Sequence, residues 1–255
     1  MAFLLVFIPV FAFADDVSNA SSVSDVSDVS SQAVVSDTSE PETEPVITSG
    51  NAIVVMSVET GQILLNTANG REVDPTCATK LMTAMLAFDM ANGLDNQVTV
   101  DAEALKNIGK KGDISAPMLG LRAGNTATVR QLLQATLISA ANDACNALAY
   151  SVSGGDIAGF VEKMNARATE IGCEHTYFTN TTGLYDGEAY TTVEDVAKIA
   201  AAFYRYNTLL DISSQPTYVI GGSTIHTKNY LRSETLMRGC TIRESKGMIA
   251  GQRTD

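Results

Sequence analysis

Tryptophan is absent from the chain, and histidine occurs only at His175 and His226. With so few imidazoles, and with no C-x-x-C pair among Cys77, Cys145, Cys173 and Cys240, the usual donor set for a zinc site is missing. No metal ion or organic cofactor is expected. The cysteine spacing matches no small disulfide framework, and a chain of 255 residues that is 45% hydrophobic can build a core without staples. Cys145 and Cys173 therefore read as small buried apolar residues. Lysine and arginine are missing altogether before Arg71, whereas nine acids precede it. Of the formal net charge of −12, the 20 remaining acids and 17 bases leave about −3 for residues 71–255. Acidity is a property of the N-terminal tail. Without a basic face, nucleic acid is not an expected partner.

The tail has two parts. Leu4 to Phe13 is an apolar run of the length of a secretory leader's hydrophobic region, and Ala12-Phe13-Ala14 forms an A-x-A site before Asp15-Asp16. Residues 1–14 are read as an export leader, although the basic start of such leaders is lacking. The segment is too short to span a bilayer comfortably. Residues 15–49 are Ser-, Val-, Asp-, Thr-, Glu- and Pro-rich and carry no aromatic side chain. Such a composition cannot bury enough apolar surface to offset its ordering entropy, so it is expected to be an acidic spacer. Export would place the remainder, residues 50–255, outside the cell, at its surface or in its wall.

Within 50–255, Ala52 to Val58 and Gln62 to Asn66 flank Glu59-Thr60-Gly61 and read as a hairpin. Pro75 precedes a helix from about Cys77 to Ala91, with Gly93 beyond its end. Val98 to Ala102 reads as extended. Thr128 opens a helix over 129–138. After a break at Ser139-Ala140-Ala141 comes another over about 142–152, with Asp143 placed to cap it. Asp156 opens a fourth that stops at Gly172. Thr191 and Glu194 form an S/T-x-x-E box opening a fifth helix to about Tyr206. Thr217–Gly221 and Ser223–Thr227 read as strands. Strands at both ends around a helical block predict an α+β fold in which N- and C-terminal strands share one antiparallel sheet.

The chemistry-bearing feature is DPTCATKLMTAML, Asp74 to Leu86. Cys77 falls at a helix start, where the helix dipole and free N–H groups favour a thiolate. Lys80 is one turn on and shares its face. A partly buried lysine loses its proton more readily and can serve as a base. Nucleophile and base at this spacing match the pattern of an activated nucleophile, although on the two residues alone a buried cysteine beside a surface lysine is the favoured reading.

This stretch resembles P-A-S-x-T-K-x-M-T-A of the serine-type D-alanyl-D-alanine carboxypeptidases, the low-molecular-weight penicillin-binding proteins. Leu132 to Ala149 (LLQATLISAANDACNALA) resembles their L-x-x-S-x-N-D-A-A-x-A-L-A segment. Phe160 to Asp186 resembles F-V-x-x-M-N-x-K-A-x-x-L-G-M-x-x-T-x-F-x-N-x-x-G-L-x-D, and Thr191 to Ala200 resembles S-T-A-x-D-M-A-x-I. The ordered series runs from about Ile47 to the C-terminus. The resemblance implies a β-lactamase-like fold: an antiparallel sheet flanked by helices, a helical lobe, and an active site between them. The last strands and closing helix are then expected beyond Asp255. It implies Cys77 as nucleophile, Lys80 as base and Asn142 as a substrate-orienting amide. The oxyanion donors would be the N–H groups of Cys77 and Gln252.

Three motifs depart from the family pattern. Serine is replaced by Cys77. The S-x-N motif reads Ala140-Ala141-Asn142, which removes the hydroxyl that relays a proton to the leaving amine, and Ser139 can substitute only if the loop shifts by a residue. The K-T-G motif reads Ile249-Ala250-Gly251, which removes the grip on the substrate's terminal carboxylate. Arg253 and Lys246 cannot restore that grip without a changed register. Losing a transition-state donor costs on the order of 10²–10³ in rate, and a buried charge-assisted bond is worth roughly 1.5–3 kcal/mol. Two functions are thus implied. One is an exported acyl-transfer hydrolase acting on peptidoglycan stem peptides ending in D-Ala-D-Ala, open to β-lactams, with Ala140, Ile249, Ala250, Gly251 and Gln252 lining the substrate site. The other is a catalytically weak descendant that binds a cell-wall peptide or a protein. A β-lactamase is disfavoured, since no E-x-x-L-N segment is present.

Overall fold

The computed structural model describes residues 3–9, 51–110 and 116–226. Strand β1 (Phe3–Pro9) lies antiparallel to β2 (Asn51–Ser57), with Phe3 opposite Ser57 and Pro9 opposite Asn51. The apolar run read as an export leader therefore supplies an edge strand along β2. β2 pairs on its other side with β3 (Ile63–Asn66), the expected hairpin, through a register shift between Val55 and Met56. Alternate residues Ala52, Val54 and Met56 are buried, as the two-residue period of a strand packed on one face requires.

Short strand β4 (Glu72–Val73) leads into α1 (Thr76–Met90). Ala78 to Met82, Ala84, Met85 and Ala87 are all buried. The alanines let neighbouring helices approach closely, so α1 is the central helix of the domain. β5 (Gln97–Thr99) pairs with β6 (Thr126–Thr128), which passes directly into α2 (Val129–Ile138). Thr128 and Gln131 form a reciprocal capping box there, fixing the helix start that Thr128 predicts. α3 (Asn142–Val152) and α4 (Ile157–Ile171) complete the lobe. α4 is capped by the Asp156 carboxylate on Gly159 N and closed by Gly172 at φ +87°, the left-handed position that glycine tolerates best.

β7 (Thr191–Thr192) pairs with β4, and α5 (Val193–Phe203) follows. Val193 and Ala197 pack on Ala52, Val54 and Met56, while Val196, Ile199, Ala200 and Phe203 join the core around α1. α5 is thus the layer between sheet and helical lobe. α6 (Asn207–Ser213) precedes the hairpin β8 (Thr217–Ile220) and β9 (Ser223–His226).

The α+β class holds, with three corrections. Among the described residues β8 and β9 pair only with each other and do not enter the β1-β2-β3 sheet. Tyr218 and Ile220 are buried in the helical core instead, and Gln131 Nε2 donates to Val219 O at 3.0 Å. The N-cap of α5 is Thr192, not Thr191, and its hydroxyl accepts from Asp195 N. Glu194 turns away to Gly70 N and Asn66 Nδ2, each at 2.8 Å. Asp143 does not cap α3, whose N-cap is Ala141.

Candidate active site

The tip of α1 is shaped by Asp74 and Pro75. Thr76 N donates to Asp74 Oδ1 at 3.1 Å, and Ala78 N donates to Pro75 O at 2.7 Å. Cys77 is the second residue of the helix. Lys80, on the next turn, is only 7% exposed. A buried amine is stable only with hydrogen-bond partners, and Lys80 Nζ donates to the carbonyl of Thr182.

The turn that carries this carbonyl is held by a network converging from three elements. Asn180 Oδ1 accepts from Thr182 N at 3.1 Å, Thr182 Oγ1 at 3.1 Å and Gly183 N at 2.7 Å, which turns the chain sharply. Thr83 Oγ1, on α1, donates to Thr181 O at 2.7 Å. Cys145 Sγ, on α3, donates to the same oxygen at 3.1 Å. Thr181 Oγ1 donates to Asn146 Oδ1 at 2.6 Å, and Asn146 Nδ2 reaches Ala104 O at 2.9 Å. Gly183, at φ +72°, lies so close that a Cβ there would stand 2.1 Å from Thr76 O. The 180–183 turn is therefore clamped against the first turn of α1.

The second motif joins α2 to α3. Ala140 adopts φ +53°, a left-handed conformation. Asn142 N donates to Pro117 O at 2.7 Å and its Nδ2 to Ile108 O at 3.1 Å. Its Oδ1 is buried and has no partner among the described residues, so an acceptor is held ready for a donor. Ser139 Oγ shares a 2.8 Å hydrogen bond with the Tyr218 hydroxyl. Asp143 takes Leu119 N at 3.1 Å, Gly120 N at 2.7 Å, Leu121 N at 2.8 Å and Ala144 N at 2.9 Å. Its carboxylate pins the 119–121 segment onto α3, a tertiary role that replaces the expected cap.

The structure thus brings α1 and α3 together at two adjacent carbonyls: Lys80 on Thr182 and Cys145, one turn after Asn142, on Thr181. Burial pushes the Cys145 thiol up to about 11, although the nearby Lys80 charge pulls against it. Burial, reinforced by Asp195, pushes Cys173 up to about 12. Both are buried free thiols, as their sequence setting predicts, and neither is a ready thiolate. Ile249, Ala250, Gly251 and Gln252, with Lys246, Arg253 and Cys240, lie outside the described residues. His175 N donates to Asp195 Oδ2 at 2.8 Å and His226 ends β9; neither reaches the candidate site. No three His, Cys, Asp or Glu side chains converge as metal ligands among the described residues. A cavity of about 730 Å³ lined by Met56, Ile63, Met85, Arg167, Lys198 and Arg205, among others, contains none of the candidate residues.

Sequence reasoning missed Thr83, Asn146, Thr181 and Thr182. A faint signal exists for the first two. Thr83 is a polar residue in an apolar helix three residues after Lys80, and Asn146 is four residues after Asn142 on the same helix face.

A family model described as D-alanyl-D-alanine carboxypeptidase matches residues 37–242. The D-alanyl-D-alanine carboxypeptidase DacF of Bacillus subtilis is 28% identical over 182 residues, covering 71% of this chain and 43% of that protein. DacB2 of Mycobacterium tuberculosis, described in the same words, is 29% identical over 166 residues, covering 64% and 54%. The chain spans about half the length of these curated relatives. Among solved structures, penicillin binding protein 6B from Escherichia coli superposes with a TM-score of 0.63 at 27% identity, covering 71% of this chain and 58% of that one. A peptidoglycan synthesis regulatory factor (PBP3) from Streptococcus pneumoniae gives 0.62 at 28% identity, covering 72% and 53%.

Proposed function

Because the chain belongs to the D-alanyl-D-alanine carboxypeptidase family, we propose that it is an exported acyl-transfer hydrolase of the cell wall acting through Cys77. In this reading Lys80 withdraws the thiol proton. The Cys77 sulfur attacks the carbonyl of the penultimate D-alanine, the peptide C–N bond breaks, and the departing D-alanine nitrogen takes a proton from Lys80. Water then hydrolyses the thioester, restoring the thiol and freeing the shortened peptide. Asn142 Oδ1 accepts from a substrate amide, and the N–H groups of Cys77 and Gln252 hold the oxyanion. Ala140, Ile249, Ala250 and Gly251 line the peptide's path.

One observation carries this reading: an almost fully buried lysine, one turn after the cysteine, whose nitrogen donates to Thr182 O, the carbonyl next to Thr181 O, which is itself held by Thr83 from α1 and Cys145 from α3. A catalytic base needs this kind of supported placement, whereas a surface lysine does not.

A second reading is favoured by a specific observation. Ala140 and Ala141 offer no hydroxyl, and Ser139 is bonded to Tyr218. A chain whose proton relay is gone can still seat a cell-wall peptide and turn over slowly or not at all. Incubation with a fluorescent penicillin followed by intact mass, beside Cys77→Ala, separates the two. A Cys77-dependent adduct is expected. No adduct, with saturable binding of stem peptide, would leave the binding module.

A leader within residues 1–14 and an acidic spacer over 15–49 belong to the same proposal, since the substrate lies outside the membrane. No helix among the described residues is long and apolar enough to cross a membrane.

A further inference from the structure

The loop that presents Thr182 to Lys80 also carries exposed aromatic side chains. Six large hydrophobic side chains are exposed among the described residues, and three of them, Tyr177, Tyr185 and Tyr190, come from this one loop. Their exposures are 46, 64 and 41%. Tyr177 and Tyr190 close the base of the loop by mutual backbone bonds of 2.8 and 3.2 Å, and their rings stack with centroids 6.0 Å apart at 28°. Concentrated exposure of this kind marks an interaction site.

The loop is built to be rigid. Asp186 accepts from Thr179 Oγ1, Asn180 Nδ2, Glu188 N and Ala189 N. Burial alone would raise this carboxyl, but the hydrogen bonds hold it below its ordinary value, so it stays anionic. At the other end Gly183 is locked against Thr76. Rigid aromatic side chains on a fixed loop lose little entropy on binding.

Resting on the proposed function above, we propose that Tyr177, Tyr185 and Tyr190 form a platform for a neutral polysaccharide of N-acetylated hexoses, the sugar backbone from which the stem peptide hangs. Four properties select this occupant. Tyrosine offers an apolar ring face to the C–H face of a sugar and a hydroxyl at its rim, which suits an amphipathic partner better than an aliphatic one. Residues 177–190 contain Asp186 and Glu188 and no lysine or arginine, which disfavours an anionic polymer. The backbone groups of Tyr177 and Tyr190 that bond each other are unavailable to an added peptide strand. Finally, Tyr185 is three residues from Thr182, a span of at most about 11 Å, so this end of the loop adjoins the site that would take the peptide.

The test uses the full chain and a peptide-free probe, the β-1,4-linked hexamer of N-acetylglucosamine. Titration calorimetry reads binding without relying on the tyrosines that the variants remove. Saturable binding is expected in the parent chain, with at least a tenfold loss of affinity in Tyr177→Ala/Tyr190→Ala and retention within about threefold in Tyr177→Phe/Tyr190→Phe. If circular dichroism finds the alanine pair unfolded, Tyr185→Ala, at the most exposed ring, is the deciding variant. No binding by the parent chain at millimolar hexamer, or equal binding by the folded alanine variants, overturns the proposal. Because the hexamer carries no peptide, its binding is read independently of any Cys77 adduct, and failure of one does not imply failure of the other.

Discussion

Two walls of the candidate site have been treated differently. At the α1 tip, Thr83, Cys145, Asn146, Asn180, Thr181 and Gly183 converge to fix the turn whose Thr182 carbonyl takes the Lys80 nitrogen. At the α2–α3 loop, Ala140 and Ala141 offer no hydroxyl, while the scaffolding around them is made: Asn142 on Ile108 O, and Asp143 on three consecutive amides of 119–121. The contrast teaches how differently the two walls are braced. Groups that brace the site through buried hydrogen bonds are costly to lose, because each deletion strands a partner. The methyl groups of Ala140 and Ala141 make no such bond, so a change there strands no partner.

The largest expected effect breaks the intact wall at its centre. Lys80→Met keeps the apolar stem but removes the nitrogen. Labelling of Cys77 by fluorescent penicillin should slow by about 10²–10⁴, the usual contribution of a positioned base, with the domain still folded. A variant that labels at the parent rate would remove Lys80 from the mechanism. Next in size is Gly183→Ala. The added Cβ would meet Thr76 O at 2.1 Å with φ at +72°, so the turn must leave α1. A loss of roughly 3 kcal/mol in urea unfolding is expected, together with slower labelling as Thr182 retreats from Lys80. Unchanged stability would mean that the turn is not clamped.

The same contrast explains what could be read from sequence. The β2–β3 hairpin, α2 behind Thr128, and α4 between Asp156 and Gly172 announce themselves because their signals are local. Glu194 and Asp143 misled for the opposite reason. Local spacing makes each a capping residue, but the carboxylates are claimed by Gly70 N and Asn66 Nδ2 in one case and by Leu119–Leu121 in the other. Partners 22 to 128 residues away leave no local trace. The placement of β8–β9 failed likewise: alternation predicts a strand but does not name the surface it packs on. The positions of Cys77 and Lys80 one turn apart on α1 were legible because helix spacing is itself geometry, while their chemical roles belong to the proposal. The 180–183 turn was not, because Thr182 acts through a backbone carbonyl and no side-chain pattern marks it.

Repairing the altered wall is the next sharpest test. Ala140→Ser restores the hydroxyl at the first position of the second motif. If its absence limits proton transfer, penicillin labelling should rise about tenfold, below the 10²–10³ of an optimally placed donor, because the third motif remains altered. No gain would shift the deficit away from this loop and toward the binding-module reading.

The smallest effect separates conformation from chemistry at the same residue. Ala140 stands at φ +53°, a conformation that costs an alanine about 1–2 kcal/mol. Glycine avoids that strain but enlarges the unfolded ensemble by about 0.4–1 kcal/mol. Ala140→Gly should therefore stabilise the domain by about 0.5 kcal/mol in urea unfolding while leaving the labelling rate below that of Ala140→Ser. If glycine raises labelling as much as serine does, relief of the strained backbone, and not the returned hydroxyl, is what the second motif needs, and the two walls differ in shape before they differ in chemistry.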